Sequence, residues 1–122
     1  MEKITYNGIE FMVDVIFELF SESLEKANIE YEIKEVPVEF ITKPFTHHFL
    51  NIYKYKSVKE IDKTVYVIAI ETFYADGDNE GGHSYIFQTY QEINFETAKS
   101  LEDDFYKRKI KFSDKMEYII YG

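Results

Sequence analysis

The sequence predicts an α+β fold, a mostly antiparallel sheet of four to six strands with a long N-terminal helix and a C-terminal helix packed on it. Apolar residues at helical spacing occupy the first part of the chain and a stretch near its end, whereas alternating or continuous β-branched and aromatic residues fill the middle. The 122 residues are 45% hydrophobic and 18% aromatic, which is enough for one packed core. We therefore expect one domain over residues 1–122, with elements in the order αββββαβ and the helices on one face of the sheet.

The first predicted element is a long amphipathic helix from about Ile9 to Ala27. Seven apolar residues recur at helical spacing and would form its buried face: Ile9, Met12, Val13, Ile16, Phe20, Leu24 and Ala27. Asn7-Gly8 is interpreted as the preceding turn, with Asn7 as the helix cap and Asn28 as the terminator. Phe11 and Val15 lie outside the apolar stripe.

The middle of the chain carries strand patterns. Residues 29–33 alternate between apolar and charged side chains, and Pro37, which has no N–H to donate, marks an edge or a bulge. Residues 45–56 alternate again. Residues 64–75 are apolar on both faces, as expected of a central strand, and with residues 83–92 they form a predicted hairpin.

The last part of the chain predicts a helix and a closing strand. The helix covers roughly residues 95–109, and its acids come early and its bases late, which suits the helix dipole. Asp103 with Lys107 and Asp104 with Arg108 form i,i+4 pairs. Residues 116–121 would close the sheet. Three apolar residues would dock the helix on the sheet: Ala98, Leu101 and Phe105.

Charge limits the classes of partner. The net charge is −9, and residues 1–40 hold ten acidic against three basic residues. This balance argues against direct binding of nucleic acid, which depends on lysines and arginines that neutralise phosphates, and favours a protein with a basic surface. We expect no membrane association, because no apolar stretch is long enough to span a bilayer. The lack of cysteine and of a signal peptide favours a cytoplasmic location.

A row of carboxylates is the clearest candidate for partner binding. Glu10, Asp14 and Glu18 are spaced by four residues, and Glu25 falls on nearly the same side of the predicted helix. No lysine follows any of them at the fourth position, so the row does not stabilise a helix. It would mimic a phosphate backbone or contact a basic partner; the alternative is a solvated face. Metal binding is disfavoured, because no Glu-x-x-His motif accompanies the row.

The acidic loop predicted at residues 76–82 is a second candidate for partner contact. Its residues Asp76, Asp78, Glu80 and Gly81 match the first half of a calcium loop, at positions one, three, five and six. Position twelve is Phe87 instead of the required glutamate, and the flanks predict strands. We therefore interpret the loop as an acidic hairpin tip that is mobile or contacts a partner, and expect no metal.

The histidines and aromatic residues leave two further hypotheses open. His47 and His48 should face opposite sides of a strand, so we do not expect them to share a metal. One of them could meet His83 across strands, and a pair made with Glu71 or Asp76 could support acid–base chemistry, as in a hydrolase or isomerase built on His47, His83 and Glu71. Alternatively, a small-molecule pocket lies between the sheet and the first helix. Its predicted lining is His47, Phe49, Tyr53, Tyr85 and Phe87.

These patterns together favour a non-enzymatic interaction protein over an enzyme. The sequence has no cysteine, no Gly-x-Ser-x-Gly elbow and no phosphate loop, and we expect no cofactor. A small acidic inhibitor or immunity protein of bacterial, phage or plasmid type, which masks a basic site on a toxin, nuclease or nucleic-acid-binding enzyme, fits best. The alternative is a small-molecule-binding α+β domain. The strand near Pro37 and the basic residues 41–70 would also allow a symmetric homodimer.

Overall fold

The computed structural model describes residues 1–38 and 43–122. Its strands are β1 (Glu2–Tyr6), β2 (Ile9–Ile16), β3 (Tyr31–Val36), β4 (Thr46–Lys56), β5 (Thr64–Asp76) and β6 (Asn79–Thr89), and its helices are α1 (Phe20–Lys26), α2 (Phe95–Tyr106) and α3 (Asp114–Tyr121). The strands form one antiparallel sheet in the order β1-β2-β6-β5-β4-β3. The predicted α+β class and antiparallel sheet are confirmed, whereas the predicted element order is wrong.

Alternation along the strands divides the side chains between two faces of the sheet. On β5, Ile68 and Ile70 point to the face covered by α2 and α3, which we call the α2 face. Val65, Val67 and Ala69 point to the opposite face, covered by α1, which we call the α1 face. The prediction that helices lie on one face only is wrong, because residues 64–75 are apolar on both sides and both sides need cover.

The prediction of a long N-terminal helix is wrong. Residues 2–16 form a β-hairpin whose turn, Asn7-Gly8, has positive φ at both positions (50° and 77°), as a type I′ turn requires. Phe11 and Val13 are completely buried against the α2 face because β2 pairs with β6. The spacing of apolar residues in 9–16 satisfies a period of two as well as the helical one, and pairing with β6 decides between them.

Within the range of the predicted N-terminal helix, residues Phe20–Lys26 are helical and form α1. Phe20 and Leu24 bury its inner side, and the Phe20 ring packs edge-on against Tyr53 with 5.0 Å between ring centroids. The helix ends before Asn28, which adopts the left-handed conformation with φ 56°. The predicted terminator is therefore confirmed, although the helix spans seven residues and not about nineteen.

Strands β4, β5 and β6 form a continuous meander at the centre of the sheet. The strands predicted at residues 45–56 and 64–75 are confirmed. The predicted hairpin is confirmed as well, and it consists of β5 and β6. The predicted seven-residue loop is shorter, because the ladder continues to the pair Asp76 and Asn79. Gly77, with φ 63°, occupies the first central position of the two-residue turn, where a glycine is favoured in type II′ hairpins.

The C-terminal helix is confirmed and the closing strand is wrong. Helix α2 covers residues 95–106, and its three predicted docking residues are buried. Residues 114–121 form α3, whose first turn is capped by the Ser113 hydroxyl accepting from the Met116 N–H. None of the helices in the part of the chain that the structure describes is long and apolar enough to cross a membrane.

Of the two predicted ion pairs on α2, one forms. The Lys107 ammonium lies 2.8 Å from the Asp103 carboxylate, which lowers the Asp103 pKa through that hydrogen bond. Asp104 instead accepts from the Tyr6 hydroxyl at 2.7 Å. The Arg108 guanidinium lies over the Tyr121 ring, 4.9 Å from its centroid. The chain has left the helix at Arg108, where φ is 56°, so the i,i+4 geometry is lost.

Candidate protein-binding surface

The α1 face collects most of the acids that the sequence singles out. Glu10 and Asp14 lie on β2 and not on a helix, yet they share this face because a spacing of four is also a multiple of the strand period of two. Glu18 lies between β2 and α1, and Glu25 lies on α1 itself. The row therefore exists as a set of carboxylates on one face, although the helix predicted to carry it does not.

The members of this row differ in how far they are neutralised. The Lys26 ammonium lies 2.6 Å from the Glu18 carboxylate, and the Ser23 hydroxyl donates to it at 2.8 Å. These hydrogen bonds lower the pKa of Glu18, with that to Lys26 as the main cause. Glu25 accepts from the Tyr31 hydroxyl at 3.1 Å, and Glu10 lies 3.8 Å from Lys3. Glu18 is thus engaged within the protein, whereas Glu10 and Glu25 are exposed and held loosely.

The acidic hairpin tip is split between the two faces. The regular β5–β6 register directs Glu80 to the α1 face and Asp76 to the α2 face, and Asp78 lies in the turn. All three residues are exposed. In the described ranges, 1–38 and 43–122, no three histidine, cysteine or acidic side chains are grouped so that they could hold a metal ion.

A buried carboxylate anchors α1 to the sheet. Glu71 on β5 is only 2% exposed, and its Oε1 accepts from the Phe20 N–H at 2.6 Å and the Ser84 hydroxyl at 3.1 Å. Its Oε2 accepts from the Asn51 amide at 2.8 Å and the Tyr53 hydroxyl at 2.9 Å. Four donors compensate for the desolvation of the charge. Sequence reasoning missed this role, and the signal was a single acid within an otherwise apolar strand.

The same anchor perturbs its neighbour Tyr53. Burial raises the pKa of the Tyr53 hydroxyl far above its ordinary value, and the Glu71 carboxylate adds to the effect. Tyr53 therefore stays a neutral donor at every physiological pH. A second link fixes the start of α1, because the single Ser84 hydroxyl proton is shared between the Glu71 carboxylate at 3.1 Å and the Glu18 carbonyl at 2.8 Å. The helix and its acids thus have a defined position on the face.

The five residues predicted to line a ligand pocket do not surround one space. Tyr53 packs under α1, and His47 and Phe49 lie on the same face beyond it. Tyr85 and Phe87 point to the α2 face, where both pack against Phe105. Phe20 and Leu24 fill the space between α1 and the sheet. Period-two alternation separates the predicted set, because β6 directs its odd-numbered residues to the α2 face.

The histidines are separated in the same way. His48 and His83 lie on the α2 face, where each is paired in register with Thr72, and the His48 Nδ1 lies 3.1 Å from the Thr72 hydroxyl. Burial lowers the pKa of both histidines. Glu71 lies on the α1 face, so the structure does not assemble it with His83. The predicted separation of His47 from His48 agrees with the observed strand register.

A polar groove lies between α2 and β4. It has a volume of about 720 Å³ and is lined by His48, Lys99, Ser100, Glu102, Asp103, Tyr106 and Lys107. Desolvation, together with the nearby Glu102 carboxylate, raises the pKa of the Tyr106 hydroxyl well above its usual range. The groove therefore offers a neutral phenol and a histidine next to charged side chains.

Comparisons of the chain with protein-family models, with curated proteins and with solved structures found no match.

Proposed function

We propose that this protein binds another protein, and that it does so by placing its α1 face on a basic surface of the partner. The observation that carries the proposal is the uneven charge of the two sides of the sheet. The α1 face presents seven acids and two lysines, a net charge of −5. The acids are Glu10, Asp14, Glu18, Glu22, Glu25, Glu35 and Glu80, and the lysines are Lys3 and Lys26.

The opposite side of the sheet has no such imbalance. Residues 95–122 hold six acids and six bases. The strand residues that point to the α2 face add three of each: Glu2, Glu32 and Asp76 with Lys34, Lys54 and Lys56. Total composition alone does not produce this separation. An excess of one sign on one face steers an oppositely charged partner toward that face.

Apolar contact area is available beside the acids. On the α1 face, Phe49 on β4 and Phe73 on β5 are partly exposed. A protein interface commonly has such an apolar centre within a charged rim, since the buried aromatic residues supply affinity and the charges supply rate and specificity. An inhibitor or immunity protein that masks the basic site of a toxin or nuclease would use this arrangement.

The test is charge neutralisation at acids that have no role in the fold. We would replace Glu10, Glu22 and Glu80 by glutamine together, and as a control replace Glu96, Asp114 and Glu117, which lie on α2 and α3, by the matching amides. Both triple variants lose three negative charges. A partner captured from host lysate by the tagged protein, eluted by salt and then purified, would be titrated against each variant.

We expect the α1-face variant to bind at least about tenfold more weakly, chiefly through a slower association rate. The control variant should bind as the unchanged protein does. Equal weakening in both variants would show that net charge matters and the α1 face does not. Unchanged binding in the α1-face variant would refute this placement of the interface.

A second candidate function is the binding of a small polar molecule in the groove between α2 and β4. The observation that favours it is the proximity of His48 and Tyr106 in a space of about 720 Å³. Thermal shifts against a panel of metabolites and nucleotides would detect a ligand, and His48→Ala should abolish the shift. A ligand whose effect survives that substitution would lie elsewhere.

A further inference from the structure

The edge strand β3 carries an unpaired backbone edge that the proposed function does not use. Among the described residues, 1–38 and 43–122, β3 is the last strand on one side of the sheet and pairs with β4 alone. Four of its six residues, Glu32 through Glu35, are exposed. Its outer edge presents backbone N–H and C=O groups that could pair with another strand. Most edge strands avoid such pairing through charges that repel a second copy.

There is one register in which the charges of β3 attract a second copy instead of repelling it. Directly opposed residues of an antiparallel pair point to the same face of the sheet. If two copies pair symmetrically and each face stays continuous, the two-fold axis must therefore lie between the two copies of one residue, and the residues on either side of it oppose each other. Centred on Ile33, the pair places Glu32 opposite Lys34 of the second copy, and it does so twice by symmetry. Centred on Glu32 or on Lys34, it would oppose two like charges at the axis.

We propose that β3 pairs with β3 of a second copy of this chain in the register centred on Ile33, which would join two six-stranded sheets into one. The proposal does not depend on docking of the α1 face. In this arrangement the Ile33 side chains, 51% exposed in the single chain, cover each other on the α1 face. Tyr31 lies opposite Glu35 of the second copy, a pair without charge repulsion.

The neighbours of β3 within one chain support this pairing. The Lys54 ammonium lies 3.8 Å from the Glu32 carboxylate on the α2 face. Glu32 would then lie between two lysines, one on its own chain and one on the second copy. The Lys34 ammonium lies over the Phe95 ring, 4.5 Å from its centroid, which holds the side chain on the α2 face where the cross-strand pair forms.

The opposite edge of the sheet offers no equivalent surface. Strand β1 has Lys3 and Thr5 on either side of its central Ile4, so a symmetric pair would gain no opposed charges. Glu2 on this edge already accepts from the Ser113 backbone and hydroxyl groups. We therefore expect association through one edge and a closed dimer, not a fibre.

The contact between two six-residue strands is small, so the dimer should be weak. Interfaces that bury less than about 1,200 Å² in total are typically transient, and we expect a dissociation constant on the order of 100 μM. Sedimentation velocity on the full chain at about 0.15 M salt, over a concentration series from micromolar to millimolar, would measure it. At this ionic strength the repulsion between the two negatively charged chains is largely screened.

Four variants test the register. Glu32→Lys and Lys34→Glu each place like charges opposite each other twice, so each should raise the dissociation constant at least about tenfold. The double variant Glu32→Lys/Lys34→Glu restores opposite charges and should dimerise again. An equimolar mixture of the two single variants should form a heterodimer, because both of its cross-strand pairs are then complementary. Lys3→Glu on β1, with the same charge change as Lys34→Glu, should dimerise normally.

Circular dichroism spectra that match the unchanged protein would exclude unfolding as the reason for a lost dimer. Several outcomes would overturn the proposal. These are a chain that stays monomeric at millimolar concentration, a dimer that Lys34→Glu leaves intact, and single variants that do not dimerise when mixed. The last of these would show that opposed Glu32 and Lys34 do not set the register, even if the single variants are monomeric.

Discussion

The two faces of the sheet are built differently, although the same six strands contribute to both. On the α2 face, two helices cover an apolar cluster of seventeen buried residues among those that the structure describes. On the α1 face, one seven-residue helix covers a cluster of seven and is held by the buried Glu71 carboxylate. The α2 face thus supplies most of the apolar burial, which leaves the α1 face able to carry a net negative charge.

The largest expected effect comes from removing the anchor of the α1 face. Glu71→Leu leaves the N–H of Phe20, the Asn51 amide and the Tyr53 hydroxyl without their acceptor in a buried site, whereas Ser84 keeps the Glu18 carbonyl. We expect the free energy of unfolding to fall by about 4 kcal/mol, measured by urea denaturation. Ser84→Ala, which removes one donor, should cost about 1 kcal/mol. If Glu71→Leu lowered the free energy of unfolding by less than about 1 kcal/mol, the role assigned to the carboxylate would be contradicted.

Hydrogen exchange should show that the two faces open separately. A seven-residue helix has little stability of its own, so the α1 amides should exchange through local opening. Those of α2, whose Ala98, Leu101 and Phe105 are buried in the larger cluster, should need near-global unfolding. We expect the opening free energy at Leu24 to be lower than that at Leu101 by about 2 kcal/mol or more. Equal protection in the two helices would show that α1 is part of the same cooperative unit.

The pH dependence of stability near neutrality should come from the α2 face. Burial lowers the pKa of His48 and His83 in the folded protein, so below about pH 6.5, the ordinary histidine value, the unfolded chain binds protons that the folded chain does not. Stability is therefore fully present above this pH and is lost as the pH falls below it.

Denaturation midpoints between pH 5 and 7.5 would check this expectation. The double variant His48→Gln/His83→Gln should flatten the dependence over this range. His47→Gln removes an exposed histidine of the α1 face and should leave the dependence in place. If the pH dependence disappeared only with His47→Gln, it would come from the α1 face, and this expectation would be contradicted.

The smallest expected effects have opposite signs on the two faces. Glu35→Gln removes one charge from the acidic α1 face and should raise stability by a few tenths of a kcal/mol, because it reduces repulsion. Asp103→Asn on α2 removes the 2.8 Å ion pair with Lys107 and should lower stability slightly. Calorimetric melting temperatures at low salt would resolve the two directions, and both shifts should shrink at 1 M salt. Shifts of the same sign would argue against the charge difference between the faces.

Local patterns correctly predicted the elements whose apolar residues fit the helical period or the strand period of two, but not both. Residues 64–75 contain too many β-branched and aromatic side chains in succession for a surface helix, and the alternation in residues 45–56 fits only a strand. Helix α2 was predictable because Ala98, Leu101 and Phe105 follow helical spacing and its charges suit the dipole. The shared face of Glu10 and Asp14 was also predictable, since their spacing keeps them together in either structure.

The N-terminal prediction failed because two periodicities overlap there. Ile9, Val13 and Ile16 fit a helix, and Ile9, Phe11, Val13 and Val15 fit a strand equally well. The decisive local signal was Asn7-Gly8, the dipeptide that a two-residue hairpin favours, which was interpreted as a helix cap. At the other end, Ser113 followed by Asp114 starts a helix, whereas the apolar residues at 116–121 predict a closing strand.

By itself, the sequence determined that the chain is an α+β protein with an antiparallel sheet, a docked helix that begins near residue 95 and an excess of acids in its first third. These properties depend on side-chain types and on contacts close along the chain. Only the tertiary structure decided that β2 pairs with β6, that Glu71 accepts from a donor 51 residues away, and that the α1 face presents seven acids with two lysines. Such pairings join residues far apart in sequence, so no local pattern specifies them.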